Sequence, residues 1–135
     1  MKLKRSMTIL LAILCIFIFS SLAYATNYYL DTSGNIDAYG YGADWYGQHK
    51  AIESSNGYFA DITGVKARCK VYRNGILITD TSNSDTTSPY SARVSGSESS
   101  SSSSNSWKAT VMTYHKTGSA TTYTYDGTIS YTDSN

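Results

Sequence analysis

Residues 65–72 read VKARCKVY, an alternation of apolar and polar side chains that runs on through Arg73 into Asn74-Gly75. No other feature narrows the fold as much. In an extended strand, Val65, Ala67, Cys69 and Val71 share one face, and Lys66, Arg68, Lys70 and Tyr72 share the other. Asn-Gly tolerates positive φ at both positions and favours a two-residue type I′ turn. Such a turn pairs Arg73 with Ile76, Tyr72 with Leu77 and Val71 with Ile78. Both members of the last pair then fall on the apolar face. The chain is predicted to build an antiparallel hairpin here, with Cys69 packed inward as a small apolar residue. Its basic neighbours project the other way, so they do little to activate the thiol.

The first 25 residues read as a signal peptide. Lys2, Lys4 and Arg5 precede an apolar run, and Ala23-Tyr24-Ala25 carries small residues where a signal peptidase cuts. Cleavage after Ala25 makes the protein secreted and extracellular, with no stable membrane insertion afterwards. All ten acidic residues follow that point and eight of the eleven basic ones do, so residues 26–135 carry a net charge of −2. That balance gives no general attraction to nucleic acid. Cys15 leaves with the leader, and Cys69 remains alone. An odd cysteine in an exported chain raises the possibility of intermolecular pairing, against which its inward phase argues for packing.

Residues 26–135 contain two Leu, six Ile, four Val, one Met and one Phe, against twelve Tyr and two Trp. Aromatic side chains must therefore supply much of a single core. Further strands are predicted over residues 36–46, 89–95, 107–115 and 121–131, with shorter pieces at 27–30 and 58–62. Within them Tyr39, Tyr41 and Trp45 share a face, as do Trp107, Ala109 and Val111, and as do Tyr123, Tyr125, Ile129 and Tyr131. Helical periodicity is nearly absent. The expected fold is all-β: a small immunoglobulin-like Greek-key sandwich of two sheets and about seven strands. It occupies residues 26–135 as one domain. Residues 96–106, GSESSSSSSNS, read as a mobile Ser-rich loop, since polyserine buries no apolar area; some of these serines could instead extend the flanking strands.

The chain lacks the G-x-S-x-G, HExxH and phosphate-loop motifs. His49 and His115 are its two histidines, and with Cys69 they make no ligand spacing for a metal. Asp37, Asp44, Glu53 and Asp61 cluster in sequence but read as solvated acids. No enzyme activity, metal or cofactor is expected. Two surfaces stand out as candidates for binding. Tyr39, Tyr41, Trp45 and Tyr46 form an aromatic cluster suited to a glycan or a protein partner. Lys66, Arg68 and Lys70 form a basic row, which serves either to protect an edge strand from aggregation or to meet an anionic ligand such as a wall polymer or lipid head group.

The stretch AYGYGADWYGQHKAIES, residues 38–54, resembles the Gly- and aromatic-rich strands of lactococcin-type bacteriocins. The resemblance implies a small exported β-sandwich acting against neighbouring bacteria, and it transfers no individual residue. The expected function is that of a secreted, non-catalytic binding protein at a cell surface or extracellular matrix, with a secreted antibacterial protein as the alternative.

Overall fold

The computed structural model describes residues 26–135; residues 1–25, expected from sequence to be a signal peptide, lie outside them. Eight strands follow in order: β1 (Asn27–Tyr39), β2 (Gly42–Glu53), β3 (Phe59–Ala60), β4 (Ile62–Arg73), β5 (Ile76–Asp85), β6 (Ser91–Ser99), β7 (Ser106–Thr117) and β8 (Thr124–Ser134). They make two four-stranded antiparallel sheets, β3-β1-β2-β6 (sheet A) and β5-β4-β7-β8 (sheet B). No helix occurs among the described residues.

The Asn74-Gly75 turn is present, with φ of 52° and 81° at its two residues. Arg73 faces Ile76 and Tyr72 faces Leu77 as the turn requires, but Val71 faces Thr79. A bulge at Ile78 inserts one residue into β5 and corrects the expected Val71–Ile78 pair. On β4 the alternation holds: Val65, Ala67, Cys69 and Val71 are all fully buried.

Residues 36–46 are two strands, not one. Gly40, at φ +41°, opens a two-residue turn with Tyr41, and Tyr39 pairs with Gly42 across it. The turn reverses the phase, so Trp45 stands opposite Ile36 and both enter the core, at 5% and 4% exposure. Tyr39 and Tyr41 remain outside, at 50% and 61%. The expected shared face of Tyr39, Tyr41 and Trp45 therefore does not exist.

A second phase change falls in β8. Tyr125 faces Tyr114 and Gly127 faces Thr113, which leaves Asp126 as an extra, unpaired residue. Beyond this bulge the strand has changed face. Tyr125 lies on the outside of sheet B, whereas Ile129 and Tyr131 stand opposite the buried Val111 and Ala109. The predicted Tyr123–Tyr131 stripe is thus split between two faces.

The core lies between the sheets around Trp107, Val111, Trp45 and Ile36. Close approach depends on the paired glycines Gly34 and Gly47. A Cβ at Gly47 would stand 2.8 Å from Val111 Cγ2, and one at Gly34 would stand 2.6 Å from Tyr131 Cε2. Among the described residues, the Trp45 Nε1 donor is buried without a partner, at a cost of about 1–3 kcal/mol.

Much of the Ser-rich segment is strand. β6 runs to Ser99 and β7 starts at Ser106, leaving a short loop over residues 100–105. Asn105, 5% exposed, organises that loop. Its Nδ2 donates to the Ser102 carbonyl at 2.6 Å, and its Oδ1 accepts from Asn74 Nδ2 at 3.2 Å. Polar side chains, which composition alone reads as solvated, bond here to the backbone and to each other.

Candidate functional site

β4 lies between β5 and β7, so Lys66, Arg68 and Lys70 do not protect an edge. They stand mid-face on the outside of sheet B. In register beside them on β7 are Tyr114, Met112 and Thr110, with Lys108 opposite Tyr72. The same alternation that buries Trp107, Ala109 and Val111 turns Lys108 outward, and Lys116 shares the outward phase of Tyr114.

Aromatic rings support these cations. Lys66 Nζ lies 5.6 Å from the centre of the Tyr114 ring, Lys108 Nζ 5.9 Å from Tyr72 and Lys116 Nζ 5.4 Å from Tyr123. Each is within the range of a cation–π attraction. Tyr125 packs edge-on against Tyr114, with ring centres 5.5 Å apart. Asp80 is the sole carboxylate on this face among the described residues. It takes both Arg68 Nε and Nη2 hydrogen bonds, at 2.7 and 2.6 Å. Those bonds lower the Asp80 carboxyl below its usual range and raise the Arg68 guanidinium. Five cations against one carboxylate give the face a charge of +4, within a domain whose net charge is −2. The rest of residues 26–135 therefore carries −6.

The aromatic set does not form one platform. Trp45 is in the core, and Tyr39 and Tyr41 sit at the β1–β2 turn. Tyr46 faces out from the middle of sheet A beneath the Arg93 guanidinium, which lies 4.2 Å from its ring centre. Tyr46 and Arg93 line a depression of about 410 Å³ together with Asn35, Asp37, Asp44 and Ser97. Two carboxylates and one guanidinium give that depression a net charge of −1, so its character is opposite to that of the basic face.

Between the sheets is a third arrangement. His49 on β2 stands opposite Thr32 on β1. Its Nδ1 lies 3.0 Å from Thr32 Oγ1, and its Nε2 lies 3.0 Å from Asp126 Oδ2. The other carboxylate oxygen of Asp126 meets His115 Nδ1. The bulge aims Asp126 inward to serve both rings. His49 is 1% exposed, and burial lowers its pKa against the opposing pull of Asp126. His115 has a side chain only 12% exposed and packs on Phe59, with ring centres 4.8 Å apart. Hydroxyl, imidazole and carboxylate follow one another as in a nucleophile relay. Here, however, the imidazole is sealed from solvent and the second histidine caps the carboxylate, so the chain of bonds joins sheet A to sheet B. Among the described residues, no group of three or more His, Cys, Asp or Glu side chains is placed to hold a metal ion.

Cys69 is fully buried, and burial raises its thiol to about 11. Sequence reasoning found the β4 row but missed Lys108, Lys116 and Asp126. The outward phase of Lys108 was readable; its place beside β4 depends on strand pairing.

Compared with protein-family models, curated proteins and solved structures, the chain matches none of them.

Proposed function

We propose that this protein is a secreted, non-catalytic binding protein that acts at a cell surface or extracellular matrix. Its contact surface is the outer face of sheet B, and its ligand is an anionic polymer. The observation that carries this reading is the gathering of Lys66, Arg68, Lys70, Lys108 and Lys116 on one sheet face with a single carboxylate. Isolated surface charges attract weakly at physiological salt. Residues two apart on a strand are about 6.8 Å apart, inside the Debye length of about 8 Å. A polymer with repeating charges therefore feels several of these cations together. Tyr72, Tyr114 and Tyr125 add apolar contact area with polar tips.

The strand order supports an immunoglobulin-like Greek key. β1-β2-β6 opposite β5-β4-β7-β8 corresponds to strands A-B-E opposite C′-C-F-G, with β3 as an added edge strand.

The test is co-sedimentation of the purified protein with washed bacterial cells and with stripped cell walls, at low and high salt. The reading predicts protein in the pellet at low salt and in the supernatant at high salt. It also predicts loss of pelleting in the triple variant Lys66→Ala, Lys70→Ala, Lys108→Ala. A folded triple variant that pellets like the parent would remove this face from the proposal. A killing assay with the same preparation tests the antibacterial alternative.

A further inference from the structure

We propose that His49, Asp126 and His115 form an acid-sensitive latch that holds the β8 edge of sheet B against sheet A. The three side chains come from three strands and two sheets. One carboxylate serves both rings, His49 from sheet A and His115 from sheet B. Asp126 can do so because it is the extra residue of the β8 bulge. Beside the latch is a cleft of about 340 Å³ between the sheets, lined by Leu30, Phe59 and Ile129 as well as by Thr32, His49 and Asp126.

At neutral pH the His49 Nε2–H donates to the ionised Asp126, and Nδ1 accepts the Thr32 hydroxyl proton. Acid adds a proton to Nδ1. The added N–H then faces the Thr32 hydroxyl and the Asp31 backbone, and the ring becomes an imidazolium in a space that is 1% exposed. The groups around it are few. β1 offers Thr32 and the Asp31 backbone, β3 the neutral Phe59, β7 His115 and Thr113, and β8 Asp126. The ring's one nearby carboxylate, Asp126, is already shared with His115 Nδ1, so the buried charge is poorly compensated. Separating the β8 edge from sheet A returns that charge to water and widens the cleft between the sheets.

The sign follows from linkage. Burial lowers His49 in the folded state, so below about pH 6.5 the unfolded chain binds the proton first. Stability is full above that pH and falls as the pH drops toward the folded value. One such proton raises the unfolding constant by up to about tenfold per pH unit.

Urea unfolding of the purified protein at pH 7.5 and 5.5 tests the latch, combined with amide hydrogen exchange at both values. The latch predicts a higher unfolding constant at pH 5.5, by up to about tenfold. It also predicts that Thr128 and Ile129 lose protection before Cys69 and Val111 do. In His49→Gln the pH effect should fall below about twofold; a merely structural histidine would lower stability equally at both pH values. A parent protein whose unfolding constant is unchanged between the two pH values overturns the proposal. So does a His49→Gln variant with an unchanged pH effect. If that variant does not fold, exchange in the parent decides: equal loss of protection on β4 and β8 contradicts a latch at β8.

Discussion

Cys69 makes a sharp test of the inter-sheet packing, because its chemistry and its burial must agree. It stands between Ala67 and Val71 on β4, opposite Val111 on β7, with no exposed surface. Only the thiolate reacts with a disulfide reagent. At pH 7.5 a free cysteine with a pKa near 8.5 is roughly 10% ionised. Burial raises the Cys69 thiol to about 11, which cuts the ionised fraction roughly 300-fold before access is considered. Labelling with Ellman's reagent should therefore be at least about 300-fold slower in the native protein than in urea. It should also accelerate in step with urea-induced unfolding. Cys69→Ser places a hydroxyl in an apolar setting and should destabilise by about 1–3 kcal/mol, read as a shift in the urea midpoint at constant slope. Native labelling at the denatured rate would put the thiol at the surface and refute the assigned register of β4. A neutral Cys69→Ser variant would refute the apolar packing around it.

Gly47→Ala should cost about 1–3 kcal/mol through overpacking, because its Cβ would meet Val111 Cγ2 at 2.8 Å; urea denaturation checks this. Asn135 Oδ1 accepts from Trp107 Nε1 at 3.2 Å, and its Nδ2 donates to the Gly40 carbonyl at 2.7 Å. Asn135→Ala leaves the buried indole N–H unpaired and should lower stability by about 1–3 kcal/mol. The thermal midpoint should then fall by about 4–8 °C for each kcal/mol. The Asp85 carboxyl is lowered by backbone N–H bonds from Ser91 and Thr87. Its stabilising effect is present above about pH 4 and is lost as the pH falls through the depressed folded value. Asp85→Asn should therefore lose less stability than the parent between pH 4.5 and 2.5, as followed by circular dichroism.

The parts of the fold that could be read from sequence are those where two local signals agree. Alternation over residues 65–72 and the Asn74-Gly75 dipeptide point to one hairpin, and it forms. Trp107, Ala109 and Val111 enter the core as their phase requires. The misreadings share a cause: one residue that reverses or shifts the period of two. Gly40 passes for a strand glycine until its positive φ is known. The extra residues Ile78 and Asp126 leave no mark in composition or hydropathy. The Gly40 turn and the Asp126 bulge each move a set of side chains to the opposite face, which is why Trp45 enters the core and Tyr125 leaves the stripe of Ile129. The Ser-rich segment resisted reading for another reason. Asn105 orders its loop with bonds to Asn74 and Ser102, partners that apolar patterning does not detect. The histidine cluster was out of reach, because His49 and Asp126 are 77 residues apart and only the bulge aims the carboxylate at both rings. Three of the five cations of the basic face are legible on β4, and the other two depend on the pairing of β4 with β7.

The most direct test of the proposed binding face is an amide NMR titration of labelled protein with solubilised anionic wall polymer at low salt. Shifts concentrated at Lys66, Lys70, Lys108 and Tyr114, and abolished by high salt, are the predicted result. Shifts centred instead on Asn35, Tyr46 and Arg93 of sheet A, or no shifts at all, would contradict it.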